Sequence, residues 1–266
     1  MSNPLQHPDM DREVMARDAA GAEEADHVVV EEPLQMVVDG RSVAVTMRTP
    51  CHDAELALGF LLTEGVITSA DQVRKIDLES KPNHALVFLT DGAAVDFSKL
   101  TRHVFSASSC GLCGKATIDA VANHLPALEN ATVFPREAVL AAPGLMSGCQ
   151  SVFARTGGLH AAGVFGADGT LHVVREDIGR HNAVDKVLGH CLGSAVDLGN
   201  CFLLVSGRVS FEIMQKALAG GIPLVAAISA PSSLAIDFAR QSGQALMAFL
   251  RPPQFKIYAG ADRISS

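Results

Sequence analysis

The second half of the chain alternates short apolar runs with helical segments, and this alternation restricts the possible folds more than any other feature. Strands that are apolar throughout lie in sheets covered on both faces. Right-handed crossovers make such strands parallel. We therefore predict an α/β domain with a buried, largely parallel sheet. Its expected elements are helices at 181–191, 209–219 and 232–242 and strands at 201–205, 223–229 and 244–249.

The first hundred residues follow a different pattern, which predicts a smaller α+β domain at 28–100. Apolar, β-branched runs on either side of Asp39-Gly40 are typical of a hairpin. A helix is expected from Thr49-Pro50 to about residue 64, because Pro favours a helix start and Gly65 favours its end. Further strands are expected at 73–78, 84–90 and 93–97.

Acidic residues are concentrated at the N-terminus. Residues 1–32 contain nine acidic residues and two arginines, whereas the whole chain of 266 residues has 29 acidic residues and 21 lysines and arginines. The rest of the chain is therefore almost neutral. Because charged and polar segments bury little apolar surface, we expect residues 1–27 to form a disordered acidic tail.

The composition argues against several classes of protein. The sequence has no run of about 18 apolar residues, so no membrane span is expected. The N-terminus lacks the apolar stretch of a secretory signal. The nearly neutral body gives no electrostatic footprint for nucleic-acid binding. We expect a soluble cytoplasmic protein that binds neither nucleic acid nor membranes.

Two of the six cysteines lie close together, in the motif Cys110-Gly-Leu-Cys113-Gly-Lys115. The segment 101–115 has no periodicity and is predicted to be a mobile loop, followed by a helix at 116–125. The amides of that helix and the charge of Lys115 favour thiolate over thiol. Such a thiolate is nucleophilic and could accept a sulfane sulfur, forming a persulfide.

A cysteine pair with this spacing has other uses. A structural zinc site needs four ligands, and the sequence has neither a second C-x-x-C nor an H-x-x-x-H motif, so no structural metal is expected. A thioredoxin-like dithiol fits the spacing, as does a turn that happens to contain two cysteines. Of the other cysteines, Cys51 is in a polar loop, and three are expected in the core: Cys149, Cys191 and Cys201.

Polar residues follow the apolar strands of the second half, at the strand ends where α/β folds bind ligands. Arg208 and Ser232 come between a strand and a helix, and Arg251 follows the last strand. Hydroxyls and arginines at helix N-termini suit phosphate groups, although ordinary helix capping explains them equally well.

The polar segment 175–186 also joins a strand to a helix. Its charged residues could line a cleft at the edge of the sheet, or could form the solvated, salt-bridged face of a capped helix. The residues concerned are Asp177, Arg180, His181, Asp185 and Lys186.

Several segments in order resemble the formate dehydrogenase accessory sulfurtransferase (FdhD/NarQ) family, over about residues 30–260. They are TPCHDAELALGFLLTEGVI, SSCGLCGK, TGGLHAAGVF, REDIGRHNAVDKVLG, LLVSGRVSFEIMQKA and SAPSSLAIDFA. Together they are far more specific than a single cysteine pair. The resemblance implies that residues 116–266 form a three-layer α/β domain similar to cytidine deaminase, without the deaminase zinc site.

The resemblance also implies a function. Such proteins take persulfide sulfur from a cysteine desulfurase and pass it to molybdenum bis(guanine dinucleotide) before this cofactor enters apo formate dehydrogenase. Cys110 matches the persulfide carrier, Cys113 would assist, and a homodimer is expected. The cofactor-binding segment after the last strand matches Phe249, Leu250, Arg251, Pro252, Pro253 and Gln254.

This chain departs from the family pattern at one point. Members often have a Pro-Gly-Arg-like run where this sequence has Pro252-Pro253-Gln254, so Arg251 is the expected anion contact. Two alternatives to sulfur transfer remain. One is a cofactor-binding chaperone, and the other is a thiol–disulfide oxidoreductase. The helix dipole favours Cys113 as the more acidic thiol, whereas the resemblance favours Cys110 as the carrier.

Overall fold

The computed structural model describes residues 10–92, 127–129 and 132–265. The α-helices are α1 (Asp53–Thr63), α2 (Arg136–Cys149), α3 (Ser151–Thr156), α4 (Arg180–Gly193), α5 (Phe211–Ala219) and α6 (Ser233–Ser242). The strands are β1 (Asp11–Arg17), β2 (Glu23–Val29), β3 (Glu32–Val38), β4 (Arg41–Arg48), β5 (Val73–Asp77), β6 (His84–Leu89), β7 (Phe134–Pro135), β8 (His160–Gly166), β9 (Leu171–Asp177), β10 (Cys201–Val205), β11 (Leu224–Ala227), β12 (Ala245–Arg251), β13 (Gln254–Ala259) and β14 (Ile264–Ser265).

A six-stranded sheet organises the second half of the chain, in the order β13-β12-β11-β10-β8-β9. Strands β10, β11 and β12 are parallel, and the outer pairs are antiparallel. Alternate residues of β10 face opposite sides, so Leu203 packs with the apolar residues of α4, α5 and α6. Phe202 packs on the other side, with those of α2. The predicted mixed α/β architecture, with its buried parallel strands, is confirmed.

A four-stranded sheet in the order β4-β3-β6-β5 forms the centre of the smaller region. The predicted hairpin is present, and its turn uses Asp39 and Gly40, both with positive φ. Apolar residues of β3 and β6 pack against α1, whose Leu56 and Leu61 are fully buried. The predicted helix therefore covers one face of this sheet.

Residues 10–27 correct an expectation, because they form a paired hairpin and not a disordered tail. Strands β1 and β2 are antiparallel, with Asp11 opposite Val29. The Asp11 carboxylate accepts from the Arg155 guanidinium of α3 at 2.6 Å, which anchors the hairpin to the body. Both strands are largely exposed, so pairing and ion pairs hold most of their length, which is why the sequence pattern missed them. At the base of the hairpin, Met10 and Val29 pack in a small apolar cluster with Val152 and Leu159.

Several predicted elements lie outside the described residues. They are the strand at 93–97, the loop at 101–115 with Cys110 and Cys113, the helix at 116–125 and residues 1–9 of the tail.

The two regions meet where α1 crosses α4. Gly59 and Gly189 allow this crossing, because a Cβ atom at Gly59 would overlap the backbone of Asp185. A Cβ atom at Gly189 would overlap the backbone carbonyl of Glu55. Close packing of two helix backbones therefore fixes how the smaller sheet sits on the larger one.

We predict that Gly59→Ala destabilises the protein by about 1–3 kcal/mol or more, because the obstructing atoms are backbone and cannot move aside. The matched control is Gly144→Ala in the exposed part of α2, where nothing lies within 4 Å of the added methyl group. That change should be neutral or stabilising by up to about 1 kcal/mol. Urea unfolding measures both, and equal effects of the two substitutions would contradict the proposed role of the crossing.

Candidate functional site

Backbone hydrogen bonds join the loops that follow β10 and β11 to each other and to the end of β12. The Val209 amide donates to the Ala230 carbonyl at 3.1 Å, and the Ser232 amide donates to Val209 at 2.9 Å. The Phe249 amide donates to the Ser229 carbonyl at 3.0 Å. These loops therefore form one continuous border, which we call the carboxyl rim. It comprises residues 206–210, 228–232 and 249–254, together with the adjoining turn at 178–181, the start of β8 at His160 and the first turn of α5 at Glu212.

Three helices begin at the carboxyl rim. Helix α4 starts after Gly179, α5 after Ser210 and α6 after Ser232. The first amides of a helix have no partner within it, and the helix dipole is positive at this end. Three such ends along one rim create an environment that favours anions.

Basic side chains add to this positive field. A Cβ atom on Gly207 would lie 3.3 Å from Nδ1 of His160 and 3.9 Å from Cβ of Arg180, so two strand ends meet here. Burial lowers the pKa of His160, and the charges of Arg180, His181 and Arg208 lower it further. The structure thus brings together four basic groups from three parts of the sequence.

The residues predicted at the strand ends differ in what they can contact. Arg208 is exposed and can reach a ligand. The Ser232 hydroxyl already accepts from the Ala235 amide at 3.2 Å, so it acts as the cap of α6. Of the two roles predicted for Ser232, helix capping is therefore the one observed. The cap fixes the start of α6, whose first amides lie at the rim.

The predicted cofactor segment forms the end of β12 and the turn into β13. The Phe249 ring is 36% exposed and has the Lys256 ammonium 5.2 Å from its centre. The Leu250 side chain is fully buried in the core, so only its backbone could contact a ligand. The other four residues are exposed: Arg251, Pro252, Pro253 and Gln254.

Behind the rim lies a fully buried ion pair. Lys186 Nζ of α4 is 2.7 Å from Oδ2 of Asp177, and both side chains are completely buried. The same ammonium donates to the Thr49 carbonyl at 2.9 Å. The other Asp177 oxygen accepts from the Gly179 amide at 2.7 Å and from Asn182 at 3.0 Å. This network fixes the turn from which α4 starts.

Asp185 belongs to a second buried cluster. Its carboxylate accepts from Lys216 Nζ at 2.8 Å and from the Thr63 hydroxyl at 2.9 Å. The idea that Asp177, Asp185 and Lys186 line a cleft is therefore wrong, and they form no solvated helix face either. Their charges are satisfied internally, because α1 and β4 cover this side of α4.

Two residues of the rim were missed by the sequence reasoning. His160 lies in TGGLHAAGVF, a segment that contributes to the family resemblance but in which no site residue was predicted. Glu212 lies in the first turn of α5, and its Oε2 is 2.9 Å from Nε2 of His181. Besides its place in the family segment LLVSGRVSFEIMQKA, the signal for Glu212 was an acidic residue at a helix start, which is common.

Two of the four cysteines that the structure describes are buried and are poor nucleophiles. Burial raises the pKa of Cys191 to about 12 and that of Cys201 to about 11. Their predicted place in the core is confirmed, whereas Cys149 is only partly buried. Cys110 and Cys113 lie outside the described residues, so their distance from the rim is not part of the structure.

Comparison with protein families gives a match to the FdhD/NarQ family over residues 29–265. The chain belongs to the FdhD/NarQ family. It is 49% identical over 249 residues to a protein of Mycolicibacterium paratuberculosis named sulfur carrier protein FdhD, covering 89% of this chain and 91% of the relative. A Streptomyces coelicolor protein of the same name is 45% identical, covering 95% of this chain and 94% of that protein.

A solved structure supports the FdhD/NarQ fold. The crystal structure of a protein from Desulfotalea psychrophila, described as a formate dehydrogenase accessory protein, superposes with a TM-score of 0.76. The match covers 96% of this chain and 98% of the other, at 24% sequence identity.

Among residues 10–92, 127–129 and 132–265, no group of three or more His, Cys, Asp or Glu side chains is placed to hold a metal ion. Within the same ranges, no helix has the length and apolar character needed to cross a membrane.

We predict that Lys186→Met destabilises this FdhD/NarQ protein by about 3–5 kcal/mol, because Asp177 then remains buried without a partner. The double variant Lys186→Met/Asp177→Asn should recover part of the loss. Lys75→Met is the matched control, since Lys75 pairs with Asp77 at 2.9 Å but is 62% exposed. It should cost less than about 1 kcal/mol. Chemical unfolding compares the three, and similar losses at both lysines would contradict the prediction.

His160 should make the stability depend on pH. Its folded-state pKa lies below the ordinary value of 6.5, so protonation favours the unfolded chain. The neutral imidazole therefore contributes stability above pH 6.5. This stability is lost as the pH falls from 6.5 through the lower folded-state pKa. Thermal melting at pH 8 and pH 5.5 should therefore show a smaller acid-induced loss for His160→Gln than for the wild type. A parallel loss in both proteins would exclude this role of His160.

Proposed function

We propose that this protein is a sulfurtransferase, a sulfur carrier that passes persulfide sulfur from a cysteine desulfurase to molybdenum bis(guanine dinucleotide). The cofactor would then serve apo formate dehydrogenase. Relatives at 45–49% identity over most of the chain are named sulfur carrier proteins, which supports the proposal. The Desulfotalea protein, described as a formate dehydrogenase accessory protein, has the same fold.

The observation that carries the proposal is the positive field along the carboxyl rim. The cofactor has diphosphate groups, which need compensating positive charge and N–H donors. Three helix N-termini start there, and Arg180 and Arg208 lie beside them. A neutral substrate would gain little from such an arrangement.

Different residues of the rim would contact different parts of the cofactor. Arg208 and Arg251 are exposed and would contact phosphate oxygens, and the α6 amides next to Ser232 would donate to them. The exposed part of the Phe249 ring offers a surface on which a base could stack. Leu250 would contribute through its backbone, and Pro252, Pro253 and Gln254 would border the ligand.

Sulfur would be carried by the cysteine pair. The Cys110 thiolate attacks the outer sulfur of the desulfurase persulfide, so that a new S–S bond forms on Cys110 as the desulfurase S–S bond breaks. The desulfurase cysteine leaves as a thiolate. Cys113 would assist, and Lys115 and the helix that the sequence predicts after the motif would stabilise the negative charge on sulfur.

Other parts of the proposal concern fold and assembly. We propose that the larger sheet and its helices form a cytidine-deaminase-like domain without the zinc chemistry of that enzyme. We also propose a homodimer that acts in the cytoplasm. The helices on both faces of the mixed sheet support the first of these proposals, the three-layer domain.

The central test is intact mass after incubation with a cysteine desulfurase and cysteine. We expect a gain of one sulfur atom in the wild type, no gain in Cys110→Ala and a normal gain in the matched control Cys149→Ala. Cys149 is a suitable control because it is partly exposed but remote from the motif in sequence. A reducing agent should remove the added sulfur.

Other outcomes of the same experiment would replace the proposal. An unmodified mass with retained cofactor binding would leave a cofactor-binding chaperone. Efficient reduction of a generic disulfide substrate, without a sulfur adduct, would indicate a thiol–disulfide oxidoreductase. A gain that persists in Cys110→Ala and disappears in Cys113→Ala would move the carrier to the second cysteine.

A further inference from the structure

His181 and Glu212 form a pair at the carboxyl rim that the proposed function does not use. We propose that His181 contacts phosphate oxygens of the bound anion and that Glu212 is the positioning residue that orients its ring. This inference rests on the proposed function, because it assumes that the rim binds a diphosphate. It adds a phosphate contact by His181 and a positioning role for Glu212 to that function.

The pair is short and shielded from water. Nε2 of His181 is 2.9 Å from Oε2 of Glu212, and the two side chains are 16% and 8% exposed. The Ser210 hydroxyl is 3.5 Å from the same imidazole nitrogen, at the outer limit for a hydrogen bond. Because Nε2 is committed to Glu212, the ring has only Nδ1 left for a ligand.

Glu212 is poorly compensated for a buried carboxylate. Within the described part of the chain, its Oε1 is buried and has no hydrogen-bond partner. A buried acceptor without a partner costs stability, so a residue chosen only for stability would be better satisfied here. Its location in the first turn of α5 gives it some compensation from the helix dipole. Its main contact is His181, which indicates that orienting His181 is its role.

The surroundings of His181 make an anion the fitting ligand. Arg180 precedes it on α4, Arg208 projects from the loop after β10, and His160 lies on β8, all on the same rim. Asp177 of β9 pairs with Lys186 at 2.7 Å, and its charge offsets only part of the positive charge around His160. Glu212 is thus the carboxylate of the described residues that directly contacts this basic group. An incoming diphosphate would place negative charge beside His181, Arg208 and His160.

A double-mutant cycle with inorganic pyrophosphate as the probe tests the inference. Calorimetric titration of the full-length protein would compare the wild type, His181→Ala, Glu212→Ala and the double variant. We expect His181→Ala to weaken binding about tenfold, as for loss of a charge-assisted hydrogen bond. Glu212→Ala should weaken it by a similar factor. The double variant should bind no more weakly than His181→Ala alone, because both changes remove one function.

Two further variants separate positioning from folding. Glu212→Gln keeps an oxygen that accepts from Nε2–H, so it should stay within about threefold of wild-type affinity. Glu64→Ala is the matched control. Glu64 lies 3.8 Å from Lys216, which is in the same helix as Glu212, but Glu64 does not contact His181. It should leave the affinity unchanged. Circular dichroism and melting temperature identify any variant that fails to fold, and Glu212→Gln then carries the test.

The outcomes are distinguishable. If the losses in His181→Ala and Glu212→Ala multiply in the double variant, Glu212 does not act through His181 and the inference is overturned. If both variants bind like the wild type while Arg208→Ala binds weakly, the inference fails but the anion site of the proposed function stands. If the wild type itself does not bind pyrophosphate, both the inference and the anion site fail. The persulfide assay then decides sulfur transfer separately.

Discussion

The buried ion pair between Lys186 and Asp177 is the constraint on which the arrangement of the site depends. Two opposite charges without solvent are stable only when their remaining hydrogen-bonding capacity is satisfied. Here the ammonium also reaches the Thr49 carbonyl, and the carboxylate also accepts from the Thr49 amide at 3.2 Å. Thr49 follows β4 of the smaller sheet. One pair therefore joins the end of β9, the first turns of α4 and the smaller region.

The consequences of this pair extend to the carboxyl rim. By accepting from the Gly179 amide, Asp177 fixes the turn at which α4 starts. Arg180 and His181 are the first residues of that helix, so their direction follows from the turn. The helix N-terminus and two basic groups are thus aimed at the rim by a carboxylate that never touches a ligand. Its own charge is paired internally with Lys186, which limits its repulsion of an anion at the rim.

Much of the fold could be predicted because its signals are local. Apolar runs alternate with helices from residue 181, and a two-residue turn at Asp39-Gly40 separates two strands. The β1–β2 hairpin could not be predicted, since exposed charged strands have no apolar period and are held by contacts such as Asp11 with Arg155 across 144 residues. The site was only partly predictable. Arg208 followed from strand-end topology, whereas His160 and Glu212 are ordinary residues until the fold brings them to the rim.

The sequence by itself determined the α/β class and the parallel direction of the central strands. Several motifs in series also determined membership of the FdhD/NarQ family. These depend on periodicity and on residue order, which are properties of the chain alone. Only the tertiary structure decided which charged residues face the ligand. In the segment 175–186, Lys186 and Asp177 are completely buried, whereas Arg180 and His181 border the rim. The physical reason is that burial and charge pairing depend on contacts between segments that are distant in the sequence. A charged residue that will be buried looks the same in the local sequence as one that will face a ligand.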